Sequence, residues 1–341
     1  MNETNHISKK KLTFSIANSL RDYLTHYGRE VKLPLEYESL LRWNTEIPLL
    51  NKNGIDTYWK TVFYNPSEMQ EIYIALVTIY VILKSNGDLQ IAQHLTVDRI
   101  DYCSFGNSHP FRIKIINKYN DNYDYFYVKK ADASRIYGLE LEHILSPNRI
   151  IYFTNNNTLI EEHIAGIPGD VFIKQFLNSK ELNPKRLAKE FVKFNERCFI
   201  RLLGDMRSYN FIIDVTQDFD DVQYRIRAID FDQQSFEGKK TLYLPQFFKE
   251  NLPLVQLGMD LLTIPAVEQY RKEERALMKN RVNIEHYRLQ KLLDVMSIDN
   301  ISTDEKIKQL RTELADHYKN NIFNTCNTMG DIVYCCLNKV L

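Results

Sequence analysis

An excess of charge of one sign, a cysteine framework and a long apolar run are all missing from this chain. Lysine plus arginine and aspartate plus glutamate number 44 each, so no broad field favours nucleic acid or an anionic membrane, and neither is expected as a partner. Five scattered cysteines (Cys103, Cys198, Cys326, Cys335 and Cys336), without a Cys-x-x-Cys pair, give no basis for a disulfide framework or a zinc site. The opening MNETNHISKKK is polar and lacks the apolar core of a signal peptide, which makes a reducing cytoplasm the expected compartment. The longest apolar run, Ile72 to Leu83, is shorter than the roughly 20 residues that span a bilayer, and it reads as a buried helix.

What is present is 341 residues with an apolar fraction of 44%, enough for several layers and a sizeable core. Residues 1–92 read as a helical N-terminal extension. Residues 12–27 carry apolar side chains at helical spacing, and 68–84 form a second, nearly all-apolar helix that stops at Ser85-Asn86-Gly87-Asp88. This extension has no chemical motif, which leaves it the role of a brace or of a surface for a protein partner. The texture changes over 93–165. Strands are expected at 94–103, at 111–117, where FRIKIIN alternates, and at 125–130 after the turn YNDNYD. A helix then fits 133–145, and two more strands fit 149–153 and 158–163. From 166 to 341 the pattern is mainly helical, broken by a hairpin over 211–230. The class is α+β.

Chemistry concentrates in LLGDMRSYN (202–210) and RIRAIDFDQQ (225–234). Asp205 stands five residues before Asn210 in a short loop after a helix, and Asp230 and Asp232 end the second strand of the hairpin. One carboxylate able to take a hydroxyl proton, beside an amide oxygen and two carboxylates able to hold a divalent ion, is what phosphoryl transfer asks of a protein. The Asp-to-Asn spacing alone says little. Asp316 and Asn321 repeat it in a polar helical stretch, and a capping Asp with a turn Asn would account for the first pair. The acids that close a buried strand carry the weight, because such strands rarely end in acids.

The two loops resemble the catalytic and metal-binding loops of the protein-kinase-like superfamily, especially its aminoglycoside and choline phosphotransferase branch, and the resemblance spans residues 95–265. The order strand, strand, strand, helix, strand, strand is that of a kinase small lobe. The resemblance implies a bilobal fold: a five-stranded antiparallel small lobe (93–165) that binds nucleotide, and a mainly helical lobe (166–341) for catalysis and the acceptor. It implies Asp205 as catalytic base and Asn210, Asp230 and Asp232 as ligands of Mg²⁺, with ATP or GTP as co-substrate. A lysine of the third strand would face the phosphates, held by a helix glutamate. YFYVKK supplies Lys129 or Lys130, of which only one can face the cleft because side chains alternate. Lys129 would bring Tyr127 toward the base and is preferred; Lys130 would bring Val128. Glu140 is preferred to Glu142 as the partner, since Ile136 and Ile144 lie one turn to either side of it. SFGNSHP would cover the phosphates through Gly106, Ser108 and backbone amides, LIEEHIAGIPG would be a hinge whose backbone near Glu162, His163 and Ile164 meets adenine, and Asp260 would support the catalytic loop.

Two departures from the family pattern are visible. Leu203 stands where a histidine usually precedes the Gly-Asp, which removes a polar brace, and Asn210 and Asp230 are unusually far apart, the excess falling in the turn TQDFDD. The expected activity is transfer of the γ-phosphate to a hydroxyl of an unidentified small molecule or protein. A catalytically silent kinase-like module and a nucleotidyl transferase using the same ligands are the alternatives. Residues 240–341 show no strongly acidic cluster, which disfavours a polycationic acceptor.

Overall fold

The computed structural model describes residues 11–51, 53–85, 89–105, 107–218 and 221–341. The expected turn at Asn86, Gly87 and Asp88, the loop glycine Gly106, and Phe219 and Asp220 of the long turn lie outside the described residues. The chain divides into two units, Met1–Ala133 with Ile150–His163 and Ser134–Arg149 with Ile164–Leu341.

The first unit is built on an antiparallel sheet of β1 (Thr45–Leu50), β2 (Asp56–Phe63), β3 (Leu95–Cys103), β4 (Phe111–Asn117), β5 (Tyr123–Lys130), β6 (Tyr152–Asn155) and β7 (Thr158–Glu162), in the order β1-β2-β3-β4-β5-β7-β6. Three helices accompany it: α1 (Asn18–His26), the single turn α2 (Tyr37–Leu40) and α3 (Pro66–Ser85). Two expectations are corrected here. The N-terminal extension is not all helical, and the sheet has seven strands rather than five, because β1 and β2 form a hairpin that pairs with β3. The turn explains the hairpin: the Asn51 side chain accepts from the N–H groups of Asn53 (2.9 Å) and Ile55 (3.0 Å). Gly54 turns at φ +75°, a conformation that residues with a Cβ resist.

The alternation of FRIKIIN sets the core. Phe111, Ile113 and Ile115 of β4 lie with Phe126 and Val128 of β5, Val97 and Ile100 of β3, and Leu76, Ile79 and Leu83 of α3 in one buried cluster. Each such side chain contributes roughly 1.5–3 kcal/mol on burial. The apolar run at 72–83 is therefore spent inside α3, and among the described residues no helix is long and apolar enough to cross a membrane. The far edge of the sheet is covered by the chain itself. Val31 N–H donates to the Thr154 carbonyl (2.9 Å), and Thr154 N–H donates to the Arg29 carbonyl (2.7 Å).

The second unit takes all but the first residue of α4 (Ala133–Leu145). It continues with β8 (Ile167–Pro168), α5 (Gly169–Gln175), α6 (Pro184–Ile200), β9 (Phe211–Asp218), β10 (Asp221–Ala228), α7 (Leu252–Leu261), α8 (Ile264–Ile284), α9 (His286–Ile298), α10 (Asp304–Tyr318) and α11 (Met329–Lys339). Asn183 caps α6 by accepting from Arg186 N–H (3.2 Å), and Pro184 opens its first turn. Leu187, Phe191, Phe194 and Cys198 then fall on one buried stripe. The three-stranded sheet runs β10-β9-β8, and Phe211 pairs with Ala228. One step further on, Ile229 N–H donates to the Asn210 carbonyl (3.0 Å), so residues 210 and 230 emerge from the same end of the hairpin.

Candidate functional site

The loop after α6 is held by its backbone. Leu203 bridges to Gln234, Gly204 N–H donates to the Gln233 carbonyl (3.1 Å), Ser235 N–H to the Leu202 carbonyl (2.8 Å) and Asp205 N–H to the Leu242 carbonyl (3.1 Å). Leu203 is fully buried, so packing and strand pairing brace the loop at this position. Leu202 and Asp205 both sit in the left-handed region, at φ +57° and +56°. A left-handed non-glycine residue costs of order 1–3 kcal/mol and persists only where its surroundings enforce it, with Asp among the more tolerant types.

The Asp205 carbonyl accepts from Arg207 N–H and from the Asn210 amide (2.8 and 2.7 Å). Its Oδ1 accepts from Arg207 Nε (2.9 Å), whose other nitrogen reaches Glu250 (2.7 Å), while Oδ2 lies 3.5 Å from the Asn210 amide. Burial, at 28% side-chain exposure, pushes the Asp205 carboxyl upward from its ordinary value, and Arg207 opposes the shift. The structure thus brings Asp205 and Asn210 together.

Asp260, expected to support this loop, lies exposed on α7 and accepts from Gln256 (2.8 Å). The support comes from Asn251, whose buried amide donates to the carbonyls of Met206 and Pro245 (2.8 Å each). Asn251→Ala is expected to lower stability by about 1–3 kcal/mol, because it strands two buried carbonyls. It should also speed hydrogen exchange at the amides of residues 204–206. Exchange unchanged from wild type would remove Asn251 from this role.

Asp230 and Asp232 are joined through a residue that sequence reasoning missed. Arg135, in the first turn of α4, donates from Nε to Asp232 (2.6 Å) and from Nη2 to Asp230 (2.5 Å). The guanidinium is 3% exposed, and the two carboxylates are 32% and 10% exposed in the same order along the chain. Mg²⁺ needs bare oxygens at about 2.0–2.1 Å in a near-octahedral set. The inner oxygens of this pair are instead bonded to a guanidinium, and among the described residues no group of three or more His, Cys, Asp or Glu side chains could hold a metal. As placed, the pair does not fit Mg²⁺. One clue to Arg135 was available: in ASRIYGLELEHIL it stands among Ala133, Ile136, Tyr137 and Leu139, and a cation so placed must find acids.

Tyr127, Lys129, Lys130 and Glu162 belong to the first unit, and Ile164 begins the longer stretch of the second. Of the two lysines, Lys129 is buried and Lys130 exposed. Lys129 donates to Glu161 of β7 (2.6 Å), a partner the sequence did not suggest, and lies 5.2 Å from the ring centre of Tyr127. Burial pushes the Tyr127 phenol up to about 12. Glu162 pairs with Phe126 of β5 and also bonds Ile151 just before β6, its N–H donating to the Ile151 carbonyl (3.1 Å) and its carboxylate accepting from Ile151 N–H (2.7 Å). In the second unit, Glu140 accepts from Arg288 through both oxygens (2.8 and 2.9 Å), and Glu142 is ion-paired to Arg201.

No protein-family model matches the chain, and no curated protein matches it. Among solved structures it is similar to the autoinhibited serine kinase domain of the giant muscle protein titin, at 13% identity over 72% of this chain and 92% of that one, with a TM-score of 0.29. It is also similar to titin kinase with its flanking domains, at 12% identity and a TM-score of 0.27, over 72% of this chain and 55% of that one. Both likenesses are too remote to speak for this chain's chemistry.

Proposed function

We propose that the chain is a nucleotide-dependent phosphotransferase of the protein-kinase-like kind, on the side of the family that resembles the aminoglycoside and choline phosphotransferases. It would move the terminal phosphoryl group of ATP or GTP to a hydroxyl of a small molecule or protein. The observation that carries this reading is Asp205, a half-buried carboxylate on a left-handed residue, held by Arg207 and Asn210 at the end of a hairpin that also presents Asp230. With Oδ1 engaged by Arg207, Oδ2 is the oxygen left to accept the acceptor's hydroxyl proton as that oxygen attacks phosphorus. Burial raises the basicity of this carboxylate while Arg207 keeps it in place. Lys129 would supply positive charge to the phosphates and Tyr127 a ring for the base, with backbone near Glu162 and Ile164 meeting its edge.

A second reading, a catalytically silent module of the same kind, is favoured by one observation: Arg135 already occupies Asp230 and Asp232. Thermal melts with ATP, GTP and a nonhydrolysable analogue, followed by release of γ-labelled phosphate, separate the two. Ligand at about 100 times its Kd stabilises by roughly 2.7 kcal/mol, a readily measured shift. A melt that no nucleotide moves sinks the phosphotransferase. A melt that moves without any loss of γ-phosphate leaves the silent module, and release of pyrophosphate with retention of the α-label points to nucleotidyl transfer.

A further inference from the structure

The acidic pair at the end of β10 is the ligand set most expected to hold a divalent cation, and the chain places a cation of its own there. We propose that the Arg135 guanidinium takes the place of a divalent ion between Asp230 and Asp232, so that one of the pair's two negative charges is met from within the chain, both acids are engaged and the pair binds no metal. The proposal rests on ion geometry alone and stands independently of phosphotransfer.

Three features fix the guanidinium. Its planar fork meets one carboxylate with Nε and the other with Nη2, at 2.6 and 2.5 Å, so a single group bridges both acids. The start of α4 is tied to the acidic segment by Ser134, whose hydroxyl lies 3.3 Å from the Asp232 carbonyl and 2.7 Å from the Gln234 carbonyl. One turn on, Gly138 lets the helix lie against that segment, since a Cβ there would come within 2.9 Å of the Phe231 Cβ and 3.1 Å of the Gln234 Cβ. Ser134 and Gly138 therefore hold the backbone that carries Arg135 against residues 231–234. The arrangement also explains its own persistence. A buried guanidinium without acids, or two adjacent carboxylates without a cation, would each be strongly unfavourable.

The test uses the full chain without nucleotide. Mn²⁺ titrated against the wild-type protein and followed by electron paramagnetic resonance should show no saturable site, and millimolar Mg²⁺ or Mn²⁺ should leave its melting temperature unchanged. Arg135→Gln should melt lower, recover on addition of Mn²⁺, and bind Mn²⁺ at least about tenfold more tightly than wild type, a difference of about 1.4 kcal/mol. Arg135→Lys, which keeps one positive charge in the pocket, should fold and stay closed to Mn²⁺. A saturable Mn²⁺ site in the wild type that Asp230→Asn abolishes would overturn the proposal, and so would a folded Arg135→Gln protein indifferent to Mn²⁺. If Arg135→Gln does not fold, the wild-type titration decides alone.

Discussion

Replacing Arg197 by methionine should lower the stability of the second unit by about 3–5 kcal/mol, the largest single-residue loss expected outside its apolar core. The buried guanidinium on α6 donates to Glu274 of α8 (3.2 Å), to Glu190 of its own helix (2.8 Å) and to the Ile226 carbonyl of β10 (3.0 Å). Burial alone draws its pKa down, and the two carboxylates more than reverse that, so the net shift is upward. A cation whose pKa rises on folding contributes fully below its already very high unfolded value, so the loss should be the same at every ordinary pH. Methionine fills similar space but leaves two carboxylates facing each other and a carbonyl unanswered. At about 2–4 °C per kcal/mol for a unit of this size, calorimetry should show a fall of roughly 10 °C. Changing Glu190 and Glu274 to glutamine in the same protein should restore much of it, since removing both signs of a buried pair is close to neutral. A single variant that melts like the wild type would mean the three ions contribute nothing.

Asp205→Asn should reduce phosphoryl turnover by about 10²–10⁴-fold, the usual contribution of a positioned proton acceptor, and it should do so without unfolding the protein. The sign of the pKa shift makes the second half of that statement testable. Burial raises the Asp205 carboxyl from its ordinary 3.8, so the folded state binds its proton more tightly than the unfolded one. The ionised carboxylate therefore opposes folding, with no penalty below 3.8 and the full penalty above the raised pKa. Relative to wild type, the asparagine variant should gain stability as the pH climbs through that window and then hold a constant margin. Arg207 works against the shift and keeps the margin small. Wild-type turnover should fall on the acid side as Asp205 takes up its proton. Retention of transfer to within tenfold of wild type, measured with γ-labelled nucleotide, would remove Asp205 from the chemistry.

Much of the secondary structure was legible because burial and periodicity agree. β4 and α4 begin and end where the pattern places them, since one face of FRIKIIN and nearly every residue of α4 are buried. β1 was not legible for the converse reason. Ile47 and Leu50 are exposed and Pro48 interrupts the strand, so no two-residue alternation marks it, and only pairing through β2 to β3 makes it part of a sheet. In the candidate site, the closeness of Asp205 to Asn210 follows from one short loop and could be read from spacing. The partners that define the remaining charges could not. Glu161 lies 32 residues from Lys129, Asp230 95 residues from Arg135, and Glu140 148 residues from Arg288. A carboxylate says that a cation is needed; only the folded chain says which.

The first unit is assembled from two separate stretches of chain. Lys130 of β5 pairs with Thr158 of β7, while nearly all of α4, which lies between them in sequence, belongs to the second unit. The polypeptide therefore passes from one unit to the other three times, after residues 133, 149 and 163. No single proteolytic cut can separate the two units, since a cut after residue 163 leaves α4 with the first and a cut after 133 leaves β6 and β7 with the second. A fragment ending at the first crossing lacks β6 and β7 and leaves β5 as an unpaired edge, open to association with other chains. On the ribosome, the sheet has to wait for residues beyond 158 before β5 finds its neighbour, by which time the second unit's first helix has already been made. Synthesis and folding of the two halves are thus interleaved, and an expression or truncation experiment that treats them as consecutive modules will cut through at least one of them.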